Sequence, residues 1–196
     1  MTFGQNADVE LWLSGNIHKD FKKNFRLYYE MGYRRDENLT GLKTFYFEGG
    51  GFYKPWKFLW IGPYYRYYDD FKGSSKSHLT GVLLLREDIG RFTVRAKTRY
   101  IAEFEEGKDP KHFLRERLGA MYDIPDFKFN HFIATEFIFH MQPDKTQNEQ
   151  IRFDTGFERS FGIHHSVDIW YRYCIRRNVN NPVNSHIIGI DYIFEF

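Results

Sequence analysis

Apolar and polar residues alternate with a period of two along most of the chain. The clearest run is the closing segment SHIIGIDYIFEF, residues 185–196, in which every second position back from the last residue is apolar or aromatic: Phe196, Phe194, Tyr192, Ile190 and Ile188. Glycine and acidic residues occupy most positions between them, and Ile193 is the apolar exception. This period predicts a β-strand with one apolar face and one polar face.

The same alternation recurs in ten further segments, so the chain is predicted to be a succession of strands. With the closing segment, the eleven predicted strands cover residues 8–17, 24–34, 42–53, 58–69, 77–87, 92–105, 112–122, 127–139, 151–160, 167–176 and 185–196. Strands of about ten residues are long enough to cross a bilayer at a tilt. Within residues 112–122 the pattern is noisier, because Glu116 falls on the apolar side. Gly49 to Gly51 predict a bend, a bulge or a close backbone approach in the third strand.

These segments predict an all-β fold. We expect one domain, residues 1–196, built as an antiparallel up-and-down transmembrane β-barrel of 10–12 strands. Eleven segments are counted, whereas bacterial single-chain barrels usually have an even number of strands. Twelve strands are therefore expected, with residues 1–7 supplying part of another strand, and ten strands are the alternative.

A soluble β-sandwich or a lipocalin-like barrel also shows alternation, and alternation alone does not tell inside from outside. Composition favours the membrane. Aromatic residues make up 20% of the chain, although its mean hydropathy is −0.60 and 28% of its residues are charged. A membrane barrel combines these features because lipid-facing and lumen-facing residues alternate. No apolar run approaches the length of about 18 residues that a transmembrane helix needs.

The closing strand resembles the C-terminal signature of outer-membrane barrels, which the barrel-insertion machinery reads. On that basis we expect a multi-pass protein in the outer membrane of a Gram-negative cell envelope, with its C-terminus in the periplasm. The expected partners are the insertion machinery during biogenesis, outer-membrane lipid and lipopolysaccharide, and a larger outer-membrane protein. The net charge of +2 gives no concentrated basic face for nucleic acid.

The first residues lack the charged and hydrophobic regions of a secretory signal. Thr2 and Gly4 are small residues at positions −3 and −1 relative to Gln5. Residues 1–4 are therefore interpreted either as an expression start or as the end of a signal peptide cleaved before Gln5. The single cysteine, Cys174, excludes an intrachain disulfide and is expected to be inert.

Three stretches together suggest a family. The early tryptophan strand DVELWLSGNI, the turn HKDFKKNF leading into RLYYEMGYR, and the closing IIGIDYIFEF resemble the uncharacterised outer-membrane barrels grouped as domain of unknown function 2490. The resemblance spans nearly the whole chain. It implies a barrel and a membrane location, and it brings no established activity or site residues.

The polar faces of the strands carry both signs of charge in nearly equal number. If these faces line the lumen, they form a charge network of Glu10, Arg26, Glu30, Glu48, Arg66, Arg95, Lys97, Arg99, Glu103, Arg115, Arg117, Glu136, Arg152, Asp154, Glu158, Asp168, Arg172 and Asp191. Paired charges of this kind would fill the interior and hold the wall together. The alternative is a narrow water-filled path in which Arg95, Lys97 and Arg99, with Arg115 and Arg117 on the next strand, attract anions.

Large rings also fall on the polar faces, and most of them belong to the first strands. These expected lumen aromatics are Trp12, Tyr28, Tyr46, Trp60, Tyr64, Tyr68 and Trp170. Rings of this kind can stack on sugars or hold an apolar ligand. We favour the simpler interpretation that they fill space beside Gly49 to Gly51.

Motifs for catalysis are sparse. His164 and Ser166 have the spacing of two residues that places side chains on one strand face and is similar to the His/Ser pairs of outer-membrane lipid A deacylases, but they fall at a predicted periplasmic turn. The other histidines show no metal-ligand spacing, and no phosphate-binding loop is present, so we expect no catalytic residue, metal or cofactor. The predicted role is a structural or accessory component with a largely filled lumen, and the alternative is a narrow porin-like channel for small solutes, including anions.

Overall fold

A computed structural model describes residues 8–21, 24–36, 39, 41–71, 74–142, 146–178 and 184–196. Within these ranges the chain forms eleven β-strands and no helix. The strands are β1 (Asp8–Phe21), β2 (Phe25–Asp36), β3 (Gly41–Trp56), β4 (Leu59–Asp70), β5 (Ser74–Ile89), β6 (Phe92–Glu105), β7 (Lys111–Asp123), β8 (Asn130–Met141), β9 (Thr146–Phe161), β10 (His165–Arg176) and β11 (Ser185–Glu195). The interpretation of residues 1–4 as a leader remnant lies outside the described residues.

The strands close into one barrel in which each strand pairs with its neighbours in sequence. All consecutive strands pair antiparallel, but β1 and β11 pair parallel, from Asp8 opposite Ser185 to His18 opposite Glu195. An up-and-down barrel with an odd number of strands must contain one such parallel pair. The predicted all-β barrel is therefore confirmed. The expectation of twelve strands is wrong for the described residues, because parallel pairing closes the barrel at the eleven counted from the alternation.

Each strand is 11 to 16 residues long, longer than most of the predicted segments. β1 continues to Phe21, where the sequence predicted a turn from residue 18, because residues 18–21 stay paired with β2 as far as Phe21 opposite Phe25. β8 begins at Asn130, later than the predicted residue 127. Asp126 has a φ of 59°, a left-handed backbone conformation typical of a turn, and residues 127–129 belong to that connection.

The apolar face of the barrel wall points outward. Every strand exposes at least one large apolar side chain, and the following residues, one on each strand, are between 38% and 60% exposed: Leu13, Leu27, Phe47, Tyr65, Leu83, Tyr100, Leu118, Ile133, Phe153, Ile169 and Ile188. Glu48, Glu136 and Arg172 on the opposite face are 2%, 0% and 7% exposed. No helix in the described ranges is long and apolar enough to span a membrane.

Glycines make room for large rings and for close backbone contacts. A Cβ atom on Gly189 would lie 2.0 Å from the indole of Trp170, so this position admits only glycine while the ring keeps its place. A Cβ atom on Gly62 would lie 1.9 Å from the carbonyl oxygen of Gly51. The glycine run of β3 therefore marks the close backbone approach predicted from the sequence, and a register shift follows between Tyr53 and Trp56.

Candidate functional site

The described part of the barrel encloses two adjoining cavities that share part of their lining. We call one end of the barrel the turn end. The strands are joined there by residues 57–58, 90–91, 124–129 and 162–164, and β11 also ends there. We call the opposite end the loop end. A cavity of about 630 Å³ extends towards the loop end, and a second of about 300 Å³ extends towards the turn end. Five residues line both cavities and mark the boundary between them: Arg99, Arg117, Trp170, Arg172 and Asp191.

Glu136 lies beside this boundary, because it pairs with Arg99, one of the five shared residues. Its side chain is fully enclosed, and it receives hydrogen bonds from arginines on three different strands. Arg115 Nη2 lies 2.7 Å and Arg152 Nη1 3.1 Å from Glu136 Oε2. Arg99 donates to the other carboxylate oxygen, Oε1. One negative charge therefore holds three guanidinium groups away from bulk water.

Asp154 forms a second centre beside Glu136. Arg172 donates to both of its carboxylate oxygens, with Nε to Oδ1 at 2.6 Å and Nη2 to Oδ2 at 2.9 Å. Arg117 Nη2 also lies 2.8 Å from Asp154 Oδ2. We call Glu136, Asp154 and their five arginines the ion-paired layer.

The register of the wall explains why these residues meet. They lie on β6 to β10; six of them line the two cavities, and Glu136 is fully enclosed among them. Arg117 is opposite Glu136, and Glu136 is opposite Arg152 on the next strand. Arg172 is opposite Asp154. Cross-strand neighbours on one face of a sheet are close enough for their side chains to interact.

β2, β3 and β4 carry a separate polar cluster. Arg66 donates to Glu48, and Arg66 Nη2 lies 3.5 Å from Glu30 Oε1. Tyr28 and Tyr46 both donate hydroxyl hydrogen bonds to Glu30. These contacts join β2, β3 and β4 across the inner face, so they stabilise the side of the wall that lies opposite the ion-paired layer.

The remaining predicted charges lie on the inner face but in several places. Glu103 is near the loop end, with His78 Nε2 at 2.9 Å and Lys76 Nζ at 3.5 Å from its carboxylate. Arg26 is at the turn end, where Asp20 and Glu195 are its partners. The cavity towards the turn end has Arg95, Lys97, Glu158 and Asp168 in its lining. The predicted network is thus divided into distinct groups.

Two further predicted acids hold tryptophan side chains in place. Asp191 accepts hydrogen bonds of 2.7 Å from Ser14 Oγ and from Trp170 Nε1. Glu10 accepts a bond of 2.9 Å from Trp12 Nε1. The two indoles meet edge to face with their ring centroids 5.9 Å apart. This geometry fixes the seam where β1 meets β11.

The predicted lumen aromatics do not form one cluster. Tyr46 and Tyr68 lie with ring centroids 5.7 Å apart, and Tyr64 is buried. Trp60 lies at the turn end, where Lys54 Nζ is 4.7 Å and the Arg26 guanidinium is 5.4 Å from its ring centroid. The rings therefore fill space at several levels of the barrel.

Some inner-face residues were absent from the predicted set. The Arg34 guanidinium lies 3.9 Å from the ring centroid of Trp12 and 4.9 Å from that of Tyr46, as in cation–π contacts. The alternation of β2 places Arg34 on the same face as Glu30, so the sequence alone was sufficient to identify Arg34 as an inner-face residue. Apolar inward residues were also missed, and they include Val82, Ile101 and Ile138.

His164 and the insertion-signal residues lie apart from this interior, whereas Cys174 is enclosed within it. His164 Nδ1 lies 2.6 Å from the backbone carbonyl of Glu195 at the turn end. Cys174 is 1% exposed and packs against Trp170 and Ile187. Among the described residues, no group of histidine, cysteine and acidic side chains is arranged to hold a metal ion. The predicted insertion-signal residues belong to the closing segment, with Ile188 48% and Phe196 51% exposed.

Comparison with known proteins identifies a family for this chain. A family model described as a protein of unknown function (DUF2490) matches residues 9–185. A search of curated proteins found no match, and a search of solved structures also found none.

Proposed function

We propose that the chain, which belongs to the DUF2490 family of proteins of unknown function, is an integral outer-membrane β-barrel with a structural or accessory role. Its lumen is blocked at mid-height by its own ion-paired layer, and its C-terminus lies in the periplasm. The observation that carries this proposal is the outer wall, which exposes large apolar side chains on all eleven strands of the described barrel.

The outer wall is unsuited to water. Monomeric soluble proteins rarely expose contiguous apolar patches of more than a few hundred Å², whereas here apolar side chains surround the barrel. Hydrocarbon solvates such a surface without cost, and outward apolar residues with inward polar ones are typical of membrane barrels. The closed wall also satisfies its backbone hydrogen bonds internally, as any segment inside a bilayer must.

The interior supports a structural role. Enclosed charges are costly unless they are paired and hydrogen-bonded, and both carboxylates of the ion-paired layer hold arginines from different strands. Such contacts fix the register of neighbouring strands. The side chains of the layer also fill the lumen between the two cavities. This supports a structural role rather than transport through the barrel.

Detergent dependence and membrane extraction test the membrane assignment. We expect the folded, purified chain to stay monodisperse only in detergent or lipid, and reconstituted vesicles to retain it through alkaline carbonate extraction. A folded monomer in plain buffer would contradict the proposal. The expected partners are outer-membrane lipid and lipopolysaccharide, the insertion machinery during biogenesis, and a larger outer-membrane protein.

A narrow channel for small anions is the second candidate. The observation that favours it is that Arg99, Arg117 and Arg172 line both cavities, so a single layer of side chains separates them. Single-channel recording in planar bilayers distinguishes the two roles. The structural role predicts a silent barrel that co-purifies with a larger outer-membrane protein, whereas the channel predicts discrete conductance steps with a reversal potential that favours anions.

A further inference from the structure

The ion-paired layer carries an excess of positive charge. Five arginines contact two carboxylates, which gives the layer a net charge of +3. Like charges held together away from bulk water repel one another strongly, because the surrounding medium screens them weakly. Such a cluster is stabilised when a counter-charge joins it.

Two of these arginines keep unused donors. The Nε atoms of Arg99 and Arg115 are buried and have no hydrogen-bond partner within the described part of the chain. A buried donor without a partner costs free energy. Both side chains also line the cavity that extends towards the loop end. The layer therefore presents its excess positive charge to a ligand in that cavity.

Five other acids line this cavity, Glu30, Asp70, Glu103, Glu149 and Asp191, and the contacts of three of them are directed away from the layer. Glu103 has His78 and Lys76 as partners. Glu30 accepts hydrogen bonds from two tyrosines, and Asp191 accepts them from Ser14 and Trp170. The excess charge of the layer is therefore not cancelled through direct contact with these three acids.

The cavity has the volume of a small-molecule site. At about 630 Å³ it lies within the range of about 300–1,000 Å³ that is usual for ligand pockets. Its lining adds Arg34, Arg176 and Lys76 to the arginines of the layer. Guanidinium groups match the planar or tetrahedral oxygen pairs of oxyanions with two parallel hydrogen bonds.

We propose that the cavity towards the loop end is a binding site for a small soluble oxyanion of the phosphate class that carries at least two negative charges. The ligand enters along the barrel axis from water, because the hydrogen-bonded wall of strands is closed and separates the cavity from the lipid side. A lipid headgroup is therefore not the source. This site goes beyond the proposed structural role and is compatible with a blocked lumen.

Calorimetric titration of the purified full chain in detergent micelles tests the site, with inorganic phosphate as the probe at constant ionic strength. We expect phosphate to bind with a Kd below about 1 mM and at least about tenfold more tightly than chloride. Arg115→Gln should weaken phosphate binding about tenfold or more, since it removes a charge-assisted donor. In this variant Glu136 still forms ion pairs with Arg99 and Arg152.

Two further variants make the result decisive. Arg176 is exposed and lines the same cavity, so Arg176→Gln should also weaken binding, and this variant serves if Arg115→Gln does not fold. Arg159→Gln is the matched control, because Arg159 stacks on Phe129 and Phe161 at the turn end. Phosphate that binds no better than chloride would overturn the proposal. Equal affinities for Arg159→Gln and the folded cavity variants would do the same.

Discussion

At the scale of single residues, Glu136 has the largest expected effect on stability. Its fully enclosed carboxylate is shared by three arginines, and removal of one partner from a buried ion pair costs about 3–5 kcal/mol. Glu136→Gln keeps the shape of the side chain and removes only its charge. We expect it to lower the free energy of unfolding by about 3 kcal/mol or more, measured by urea unfolding of the barrel in lipid or detergent.

The control for this prediction is Glu87→Gln. Glu87 is exposed near the end of β5, and the same change of charge there should alter the free energy of unfolding by less than about 0.5 kcal/mol. Equal effects of the two substitutions would show that the arginines of the ion-paired layer do not depend on Glu136.

The alternation of residues predicted which side chains face inward but not which of them meet. Arg99 donates to Glu136 although the two are 37 residues apart in sequence and lie on β6 and β8, two strands apart. Such a diagonal contact depends on the stagger between strands and on the length of the arginine side chain. Neither quantity follows from a period of two, so the sequence supported one undivided network where the structure has several groups.

At the scale of elements, the seam between β1 and β11 determines the number of strands. The sequence predicted eleven segments, and the preference for twelve followed from the parity rule for bacterial barrels. That rule assumes that the first and last strands pair antiparallel. Here β1 and β11 pair parallel, from Asp8 to His18 of β1. Periodicity within a strand carries no information about the direction of its partner, so the closure could not be read from the sequence.

A disulfide across the seam tests this closure. Leu13 is opposite Ile190, and both side chains lie on the outer wall. Adjacent strands are about 4.8 Å apart, within the range of about 4.4–6.8 Å between Cα atoms that disulfides span. In a Cys174→Ala background, Leu13→Cys with Ile190→Cys should form an intrachain crosslink under oxidation, detected as a shift on a non-reducing gel.

The matched pair for the crosslink is Leu13→Cys with Leu118→Cys. Leu118 lies on β7, on the far side of the closed barrel. No intrachain bond should form between these positions. Efficient bonding in this pair, or none at the seam, would show that the barrel does not close through a parallel β1–β11 pair.

A charged substitution on the outer face of β7 distinguishes a membrane barrel from a soluble one. Leu118 is 60% exposed near the middle of the strand. An arginine on the lipid face at the bilayer midplane costs about 2–4 kcal/mol. Leu118→Arg should therefore lower the free energy of unfolding in lipid vesicles by that amount, measured by urea titration.

Ile163→Arg is the control for the outer face. Ile163 is 88% exposed in the turn between β9 and β10, where water solvates a charge at either membrane surface. Its substitution should change stability by less than about 0.5 kcal/mol. A soluble barrel would tolerate the two arginines equally, which would contradict a hydrocarbon environment at Leu118. Glu116 is an acidic residue on this outer face, and Thr98 Oγ1 donates a hydrogen bond of 2.7 Å to its carboxylate.

At the scale of the whole molecule, the distribution of side chains is inverted relative to a soluble protein. Carboxylates such as Glu48 and Glu136 are buried, whereas Phe47 and Ile133 are exposed on the wall. Composition already indicated this arrangement, because 20% aromatic residues occur together with a polar mean hydropathy. The two cavities and the layer between them were not predictable, since they depend on how side chains from several strands share one cross-section.

The central claim is that hydrocarbon covers the aromatic and aliphatic wall. Fluorescence quenching tests it most directly, with a fluorophore attached to Leu118→Cys or to Ile163→Cys in a Cys174→Ala background and the barrel reconstituted in vesicles. We expect lipids brominated near the bilayer centre to quench the label at residue 118, and aqueous iodide to quench only the label at residue 163. Iodide quenching of both labels, with no effect of brominated lipid, would contradict the account.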